Sequence, residues 1–396
     1  MAKGRKISIP KDKYVGQIEI NEGNLRIPFL KKKKVALLFV CLNEHYWSYI
    51  TQVVKDCKEK FLPHHKVDFF VWTDISRFPS VVESIQKRLQ AFEGTPNERL
   101  KSVMDLLVEV IARFQTYPAT TGIVQSMEPK GFRFRRENNA KMWIETGLPL
   151  HDEDAISKAI QFGQETINAI MSAAAAEVES FKHSCTIIET EPMEWPIPTL
   201  MRYHLFLGEE QKLNGYDYLF YLDADMKVVQ KISDEILGKG LTAAPHPGYV
   251  LNKRLIPPYE PNSESTAFIP RLGFYAQEGH QKRFYPFYAA GGFQGGVTEK
   301  FVRAMKKMKS NIDKDFHKNY QAIWNDESHW NKYLWDYQTR GGNITFLDVS
   351  YIYPDSLIKD YYEKIWGRSY EPKIITLTKP FNLSPGALAD LGMGSL

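Results

Sequence analysis

The sequence predicts an α/β protein: an open, mixed sheet flanked by helices, interrupted by a mostly helical insertion. Three observations carry this. Val35 to Leu42 is a continuous apolar run of strand length, Tyr46 to Phe61 has apolar residues at helical spacing, and Val67 to Thr73 is a second strand-like run. Two buried-type strands joined by a helix form a parallel pair, and open sheets of this kind bind ligands outside the carboxyl ends of their strands. The same apolar pattern returns after a long helical stretch, which places that stretch as an insertion.

Taken in order, residues 1–34 read as an extended arm punctuated by Pro10, Gly16, Gly23 and Pro28. From about Ser80 to Lys182 the segments Val81 to Phe92, Asn97 to Phe114 and Ala155 to Phe181 carry helical periodicity and good helix formers. Tyr117 to Pro149, between them, is rich in Gly and Pro and holds the basic-aromatic run Phe132-Arg-Phe-Arg-Arg136. The α/β pattern resumes at Cys185 to Glu189, passes into a helix over Thr199 to Leu213, and reaches the apolar strand that starts at Tyr216. The expected division is an arm (1–34), an α/β domain (35–79 and 183–380), a helical insertion (80–182) and a loosely ordered tail (381–396).

Composition narrows the function. Lys+Arg 51 against Asp+Glu 47 gives a net charge of +4, too small for a field directed at nucleic acid. The run Lys31 to Lys34 reads as the solvated start of a strand. The N-terminus has no apolar signal core, and no window reaches the roughly 18 apolar residues of a membrane span, so a soluble, unexported chain is expected. Three widely spaced cysteines, Cys41, Cys57 and Cys185, suggest neither a disulfide framework nor a zinc site, and fit a reducing compartment.

Three segments carry chemistry. The strand Tyr216 to Asp223 ends in Asp223-Ala-Asp225; on a strand residues i and i+2 share a side, and two close carboxylates want a compensating cation such as Mn2+ or Mg2+. Strand-end aspartates that cap a turn are the rival explanation. Tyr288-Ala-Ala-Gly-Gly-Phe-Gln-Gly-Gly296 permits close backbone approach to a ligand, or forms a plain turn or bulge. Trp324-Asn-Asp-Glu-Ser-His329 opens a helix, with Asn325 or Asp326 as a suitable N-cap. Paired acids, a His and aromatics together also suit a polar sugar site.

With Glu191-Pro-Met-Glu-Trp-Pro196, His246-Pro-Gly248 and Phe268-Ile-Pro270, these segments in this order resemble glycosyltransferase family 6, over roughly Val35 to Asp74 and Cys185 to Lys379. That is the family of the histo-blood-group A and B transferases and the α1,3-galactosyltransferase. The resemblance implies a GT-A fold, a metal-bound UDP-sugar donor, and transfer of galactose or N-acetylgalactosamine to a galactoside-type oligosaccharide or glycoconjugate acceptor, with retention. It implies Mn2+, with Mg2+ as the alternative, on Asp223 and Asp225. It assigns Glu327 as the catalytic carboxylate, as nucleophile or as stabiliser of an oxocarbenium-like centre; both remain open.

The resemblance further places Tyr46 (in the first strand-to-helix loop), Arg202 and Asp326 at the donor, with Arg368 and Lys373 in a basic tail closing over it. Ala290, Gly291 and Gly292 stand at the wall near the sugar C2 group; their small size leaves room for an acetamido group and favours UDP-N-acetylgalactosamine over UDP-galactose. His246, Trp324 and Asp355 fall on the acceptor side. Bland rivals exist: Arg202 as a surface helix residue, His246 as the cap of a turn, Trp195 and Trp324 as core or wall.

Two departures stand out, Asn325 where animal members have His and Gln294 in place of an apolar residue. The chain resembles anchorless bacterial and phage members, and a cytoplasmic location in a bacterial or phage-infected cell follows from that likeness. A UDP-sugar hydrolase and a non-catalytic sugar-nucleotide or glycan-binding protein are the competing classes. The insertion reads as an acceptor-binding or oligomerising subdomain, with Phe132 to Arg136 facing an acidic acceptor, or as a tolerated surface insertion.

Overall fold

The computed structural model describes residues 14–15, 30–114, 117–137, 141–147, 153–249, 258–270, 288–355 and 359–377. Most of the expected arm and all of the 381–396 tail lie outside them. A short antiparallel pair, β1 (Tyr14–Val15) and β2 (Leu30–Lys31), precedes the main sheet. β3 (Lys34–Cys41) is apolar from Val35 onward because it is covered on both faces. It leads into α1 (Glu44–Lys60), whose Glu44 and Lys58/Lys60 complement the helix dipole, and then into β4 (Lys66–Thr73), parallel to β3.

The chain then builds α2 (Phe78–Gln90), α3 (Pro96–Phe114), α4 (Pro118–Met127), the antiparallel hairpin of β5 (Phe132–Glu137) and β6 (Lys141–Thr146), and α5 (Glu153–Lys182). Leu100, Val103, Leu107 and Ile111 of α3 share one continuous apolar core with α5, α1 and β3. Gly163 is needed where α5 crosses α3, since a Cβ there would lie 2.5 Å from Val103 Cγ1. The stretch expected as a Gly/Pro-rich connection thus holds a helix and a hairpin. Phe132 is buried and stacks on Phe162 at 4.1 Å, while Arg133 pairs with Glu128 (2.7 Å) and Arg135 with Glu145 (2.9 Å). Two of the charges expected to meet an acidic acceptor, Arg133 and Arg135, are therefore already paired within the hairpin and its approach.

Next come β7 (Thr186–Glu189), α6 (Ile197–Gly208), α7 (Glu210–Leu213), β8 (Tyr218–Leu222), β9 (Met226–Val228), β10 (Leu241–Pro245) and β11 (Ala289–Val297). The chain continues through α8 (Thr298–His317), α9 (Asn325–Thr339), β12 (Ile344–Phe346), β13 (Tyr353–Pro354), α10 (Lys359–Trp366) and β14 (Ile374–Thr376). Seven strands form one mixed sheet in the order β12-β10-β11-β8-β3-β4-β7. β8, β3, β4 and β7 run parallel, and β11 runs antiparallel to both β8 and β10. Separate apolar cores cover the two faces, an arrangement compatible with a GT-A-like architecture. The glycine-rich run is a buried sheet strand, not a turn: a Cβ at Gly295 would sit 2.4 Å from the Phe220 ring and 2.5 Å from the Leu219 carbonyl. Among the described residues no helix is long and apolar enough to cross a membrane.

Candidate active site

The carboxyl ends of β3 and β8 and the start of β11 meet at one edge of the sheet. A cavity of about 460 Å³ opens there, lined among others by Asn43, Tyr46, Trp195, Arg202, Asp223 and Asp225. Four residues predicted for donor binding thus share one space. Tyr46 stands in the first turn of α1 rather than in the loop before it. That loop is fixed by buried Asp74, which accepts from Asn43 N (3.0 Å) and Trp47 Nε1 (2.9 Å).

β8 ends at Leu222, so Asp223 and Asp225 lie in the turn leading to β9, and the same-side rule for a strand does not apply to them. The turn brings both to the cavity instead. Asp223 N donates to the Gly292 carbonyl (3.0 Å), its carboxylate accepts from the Tyr221 hydroxyl, and Leu377 N donates to the Asp225 carbonyl (2.9 Å). Asp225 is buried, whereas the Asp223 side chain is 35% exposed.

Arg202 is buried, contrary to its reading as a surface helix residue. Its Nη1 lies 3.4 Å from Asp326 Oδ2, 3.6 Å from Asp223 Oδ1 and 3.3 Å from the Gly291 carbonyl, and the guanidinium covers the Tyr221 ring at 4.3 Å. Burial works against its charge, but Asp326, Tyr221 and Asp223 outweigh that and hold it protonated.

The start of α9 corrects the capping expectation. Trp324 is the N-cap residue with no side-chain cap, Ser328 Oγ accepts from Trp324 N (3.1 Å), and Asn325 has φ +49°. Asp326 is turned inward to Arg202 and to Gln294 Nε2 (3.3 Å); burial pushes its carboxyl up to about 6, against the pull of Arg202. Glu327 Oε2 accepts from Gly291 N (2.7 Å), and burial raises its carboxyl to about 7 although that hydrogen bond favours the anion.

Ala290, Gly291 and Gly292 are buried in β11. A Cβ at Gly291 would meet Glu327 Cβ at 3.3 Å; one at Gly292 would meet Met226 Cε at 2.6 Å and Asp223 Oδ2 at 2.7 Å. The absence of a side chain at Gly291 and Gly292 lets Glu327 and Asp223 seat close against the strand.

On the other side, His246 Nδ1 accepts from Gly248 N (3.1 Å), the turn-capping role weighed as its rival, and burial lowers its pKa to about 4. Its ring joins those of Tyr249 and Tyr288. Trp324 and Trp195 are 41% and 75% exposed, so neither is core. Asp355 follows β13, its carbonyl accepting from Lys359 N (2.9 Å). Arg368 lies over the Tyr370 ring, and Lys373 donates to Glu235 (2.7 Å) and Tyr351 (2.9 Å). None of these three lines the cavity. The sequence reading missed Asn43, Tyr203 and Tyr288; Gln294, a polar residue inside an otherwise apolar strand, was the available signal for one more.

Among the described residues no group of three His, Cys, Asp or Glu side chains gathers as a metal centre. Asp223 and Asp225 offer two protein carboxylates at the cavity, a hard-oxygen set that fits Mn2+ or Mg2+ completed by ligands from outside the chain.

The mixed sheet, the acid-bearing turn at the end of a buried strand and the inward carboxylates are compatible with a glycosyltransferase-type α/β protein. Residues 200–341 match the model of glycosyltransferase family 6, which supports the family resemblance over that region. It is 36% identical over 127 residues to "Histo-blood group ABO system transferase 1" of Rattus norvegicus, covering 32% of this chain and 33% of the relative. It is 29% identical over 150 residues to "O-antigen biosynthesis glycosyltransferase WbnI" of Escherichia coli (38% and 59%), and 35% over 125 residues to "Globoside alpha-1,3-N-acetylgalactosaminyltransferase 1" of Gallus gallus (32% and 33%). The chain therefore spans about a third to three-fifths of the length of these relatives. The matched region contains Arg202, Asp223, Asp225, Gly291, Asp326 and Glu327, and excludes Tyr46, Asp355, Arg368, Lys373 and the whole of 80–182.

Proposed function

We propose that the protein is a retaining glycosyltransferase that moves N-acetylgalactosamine or galactose from a UDP-sugar to a galactoside-type acceptor in α1,3 linkage. The observation that carries this reading is one cavity joining Tyr46, Arg202, Asp223 and Asp225, with Glu327 held by Gly291 N on the neighbouring strand. Asp223 and Asp225 are the residues that would hold a divalent cation, which supplies charge neutralisation to a departing diphosphate. Tyr46 offers a ring for the base, and Arg202 fixes Asp326 and Asp223 beside each other for the sugar. Glu327, pinned by one oxygen, presents in its ionised form a carboxylate toward developing positive charge at the anomeric carbon. The names of the relatives support the α1,3 linkage and N-acetylgalactosamine as donor sugar.

The test is UDP release from UDP-N-acetylgalactosamine and from UDP-galactose, with Mn2+ or chelator, and with or without lactose and fucosylated lactose. Release that needs the cation, rises with a galactoside and is lost in Glu327→Ala and Asp225→Asn is expected. Release indifferent to acceptor would instead favour a hydrolase, and donor binding without release would favour a binding protein.

A further inference from the structure

We propose that Gln294 is a positioning residue for the two active-site carboxylates, acting through the Gly291 peptide and Asp326; this rests on the transferase reading above. Gln294 is fully buried in the middle of β11, yet every polar atom of its amide is used. Its Nε2 donates to the Gly291 carbonyl (3.0 Å) and to Asp326 Oδ2 (3.3 Å), and its Oε1 accepts from the Tyr203 hydroxyl (2.8 Å). The two acceptors fix which way the amide faces, and Tyr203 must then donate. Arg202 Nη1 reaches the same carbonyl and the same carboxylate oxygen. The Gly291 carbonyl is thus gripped by two donors while the amide of the same residue holds Glu327 Oε2. One side chain therefore anchors Gly291 by its carbonyl, fixing the residue whose N–H holds Glu327, and sets the rotamer of Asp326. An apolar residue of equal length would fill the volume and release both.

The experiment uses the full chain, with Gln294→Met and Tyr203→Phe alone and together, measuring UDP-sugar Kd, kcat, KM and thermal unfolding. Gln294→Met is expected to keep the donor Kd within about twofold while kcat falls about tenfold or more, the scale of a misplaced reacting group. Tyr203→Phe, which frees Oε1 and removes the hydroxyl's 3.4 Å contact with Asp326 Oδ2 but leaves both Nε2 hydrogen bonds in place, should lower kcat less, and the double variant should be no slower than Gln294→Met, as for residues acting as one unit. Wild-type kcat in folded Gln294→Met, or a kcat loss matched by an equal loss of donor affinity, would overturn the proposal. Should Gln294→Met fail to fold, an unchanged kcat in Tyr203→Phe overturns it alone. A wild-type chain that binds neither donor removes the transferase reading and this proposal with it, an outcome distinct from wild-type binding with an indifferent variant.

Discussion

Arg202 shows how one residue can hold a site together. A cation placed among Asp223, Asp326 and the Gly291 carbonyl satisfies groups that burial would otherwise penalise, and its loss strands two carboxylates. Breaking a buried ion pair from one side costs about 3–5 kcal/mol, so Arg202→Met should lower the unfolding free energy by about that amount in denaturant titration. Arg202→Lys should recover only part, because an ammonium cannot reach both acids and the carbonyl in one plane. Glu327 carries a pH prediction of its own. With its carboxyl raised to about 7 by burial, the anion required for attack or charge stabilisation forms only as pH rises through neutrality. The kcat/KM profile for UDP-sugar should therefore have an acid limb with an apparent pKa near 7, and a profile flat from pH 5 to 8 would contradict an ionised Glu327 in the reaction.

At the scale of the element, β11 separates packing from chemistry within nine residues. At Gly295 an added methyl meets the Leu219 backbone and the Phe220 ring, which the sheet cannot move. Gly295→Ala should cost about 1–3 kcal/mol in stability, the usual range for overpacking. At Gly292 the nearest atoms are the ends of two side chains, Met226 Cε and Asp223 Oδ2. Gly292→Ala should leave thermal unfolding nearly unchanged but raise the Mn2+ concentration needed for half-maximal UDP release, because Asp223 is pushed from its seat. This contrast was not legible beforehand, since both positions are Gly in one run. Elements buried on both faces were legible: β3, β4 and β8 announce themselves by apolar composition alone. The hairpin was not, although Phe132 and Phe134 alternate with Arg133 and Arg135, because two short strands carry little signal beside the long helices around them. The motif acids could be singled out from sequence, but the partners the structure gives them could not. Nothing local marks Arg202 as the mate of Asp326, or shows that Asp326 abandons the helix cap for it.

For the whole molecule, four of the described buried ionisable groups form two opposed pairs. Burial holds His246 and His329 down to about 4, and His329 stays there although Asp315 and Glu260 pull its pKa upward. Below the ordinary value of 6.5 the unfolded chain takes up protons that these folded imidazoles refuse, so each withdraws stability as pH falls from about 6.5 to about 4. Asp326 and Glu327, raised to about 6 and about 7, do the reverse. Between their unfolded values near 4 and their folded ones, the folded chain keeps protons that the unfolded chain has lost, so their contribution is full at low pH and fades as pH rises. A fully shifted group changes stability by about 1.4 kcal/mol per pH unit, and within pH 4.5 to 6 two such slopes point each way. The pairs oppose each other there, and single variants should expose the hidden slopes. Thermal unfolding of His329→Leu should decline less from pH 6.5 to 4.5 than that of the wild type. Glu327→Gln, which removes a group stabilising at low pH, should decline more steeply over the same interval. Parallel melting curves for all three proteins would mean that these groups titrate alike in the folded and unfolded chains, and that burial does not govern their charge.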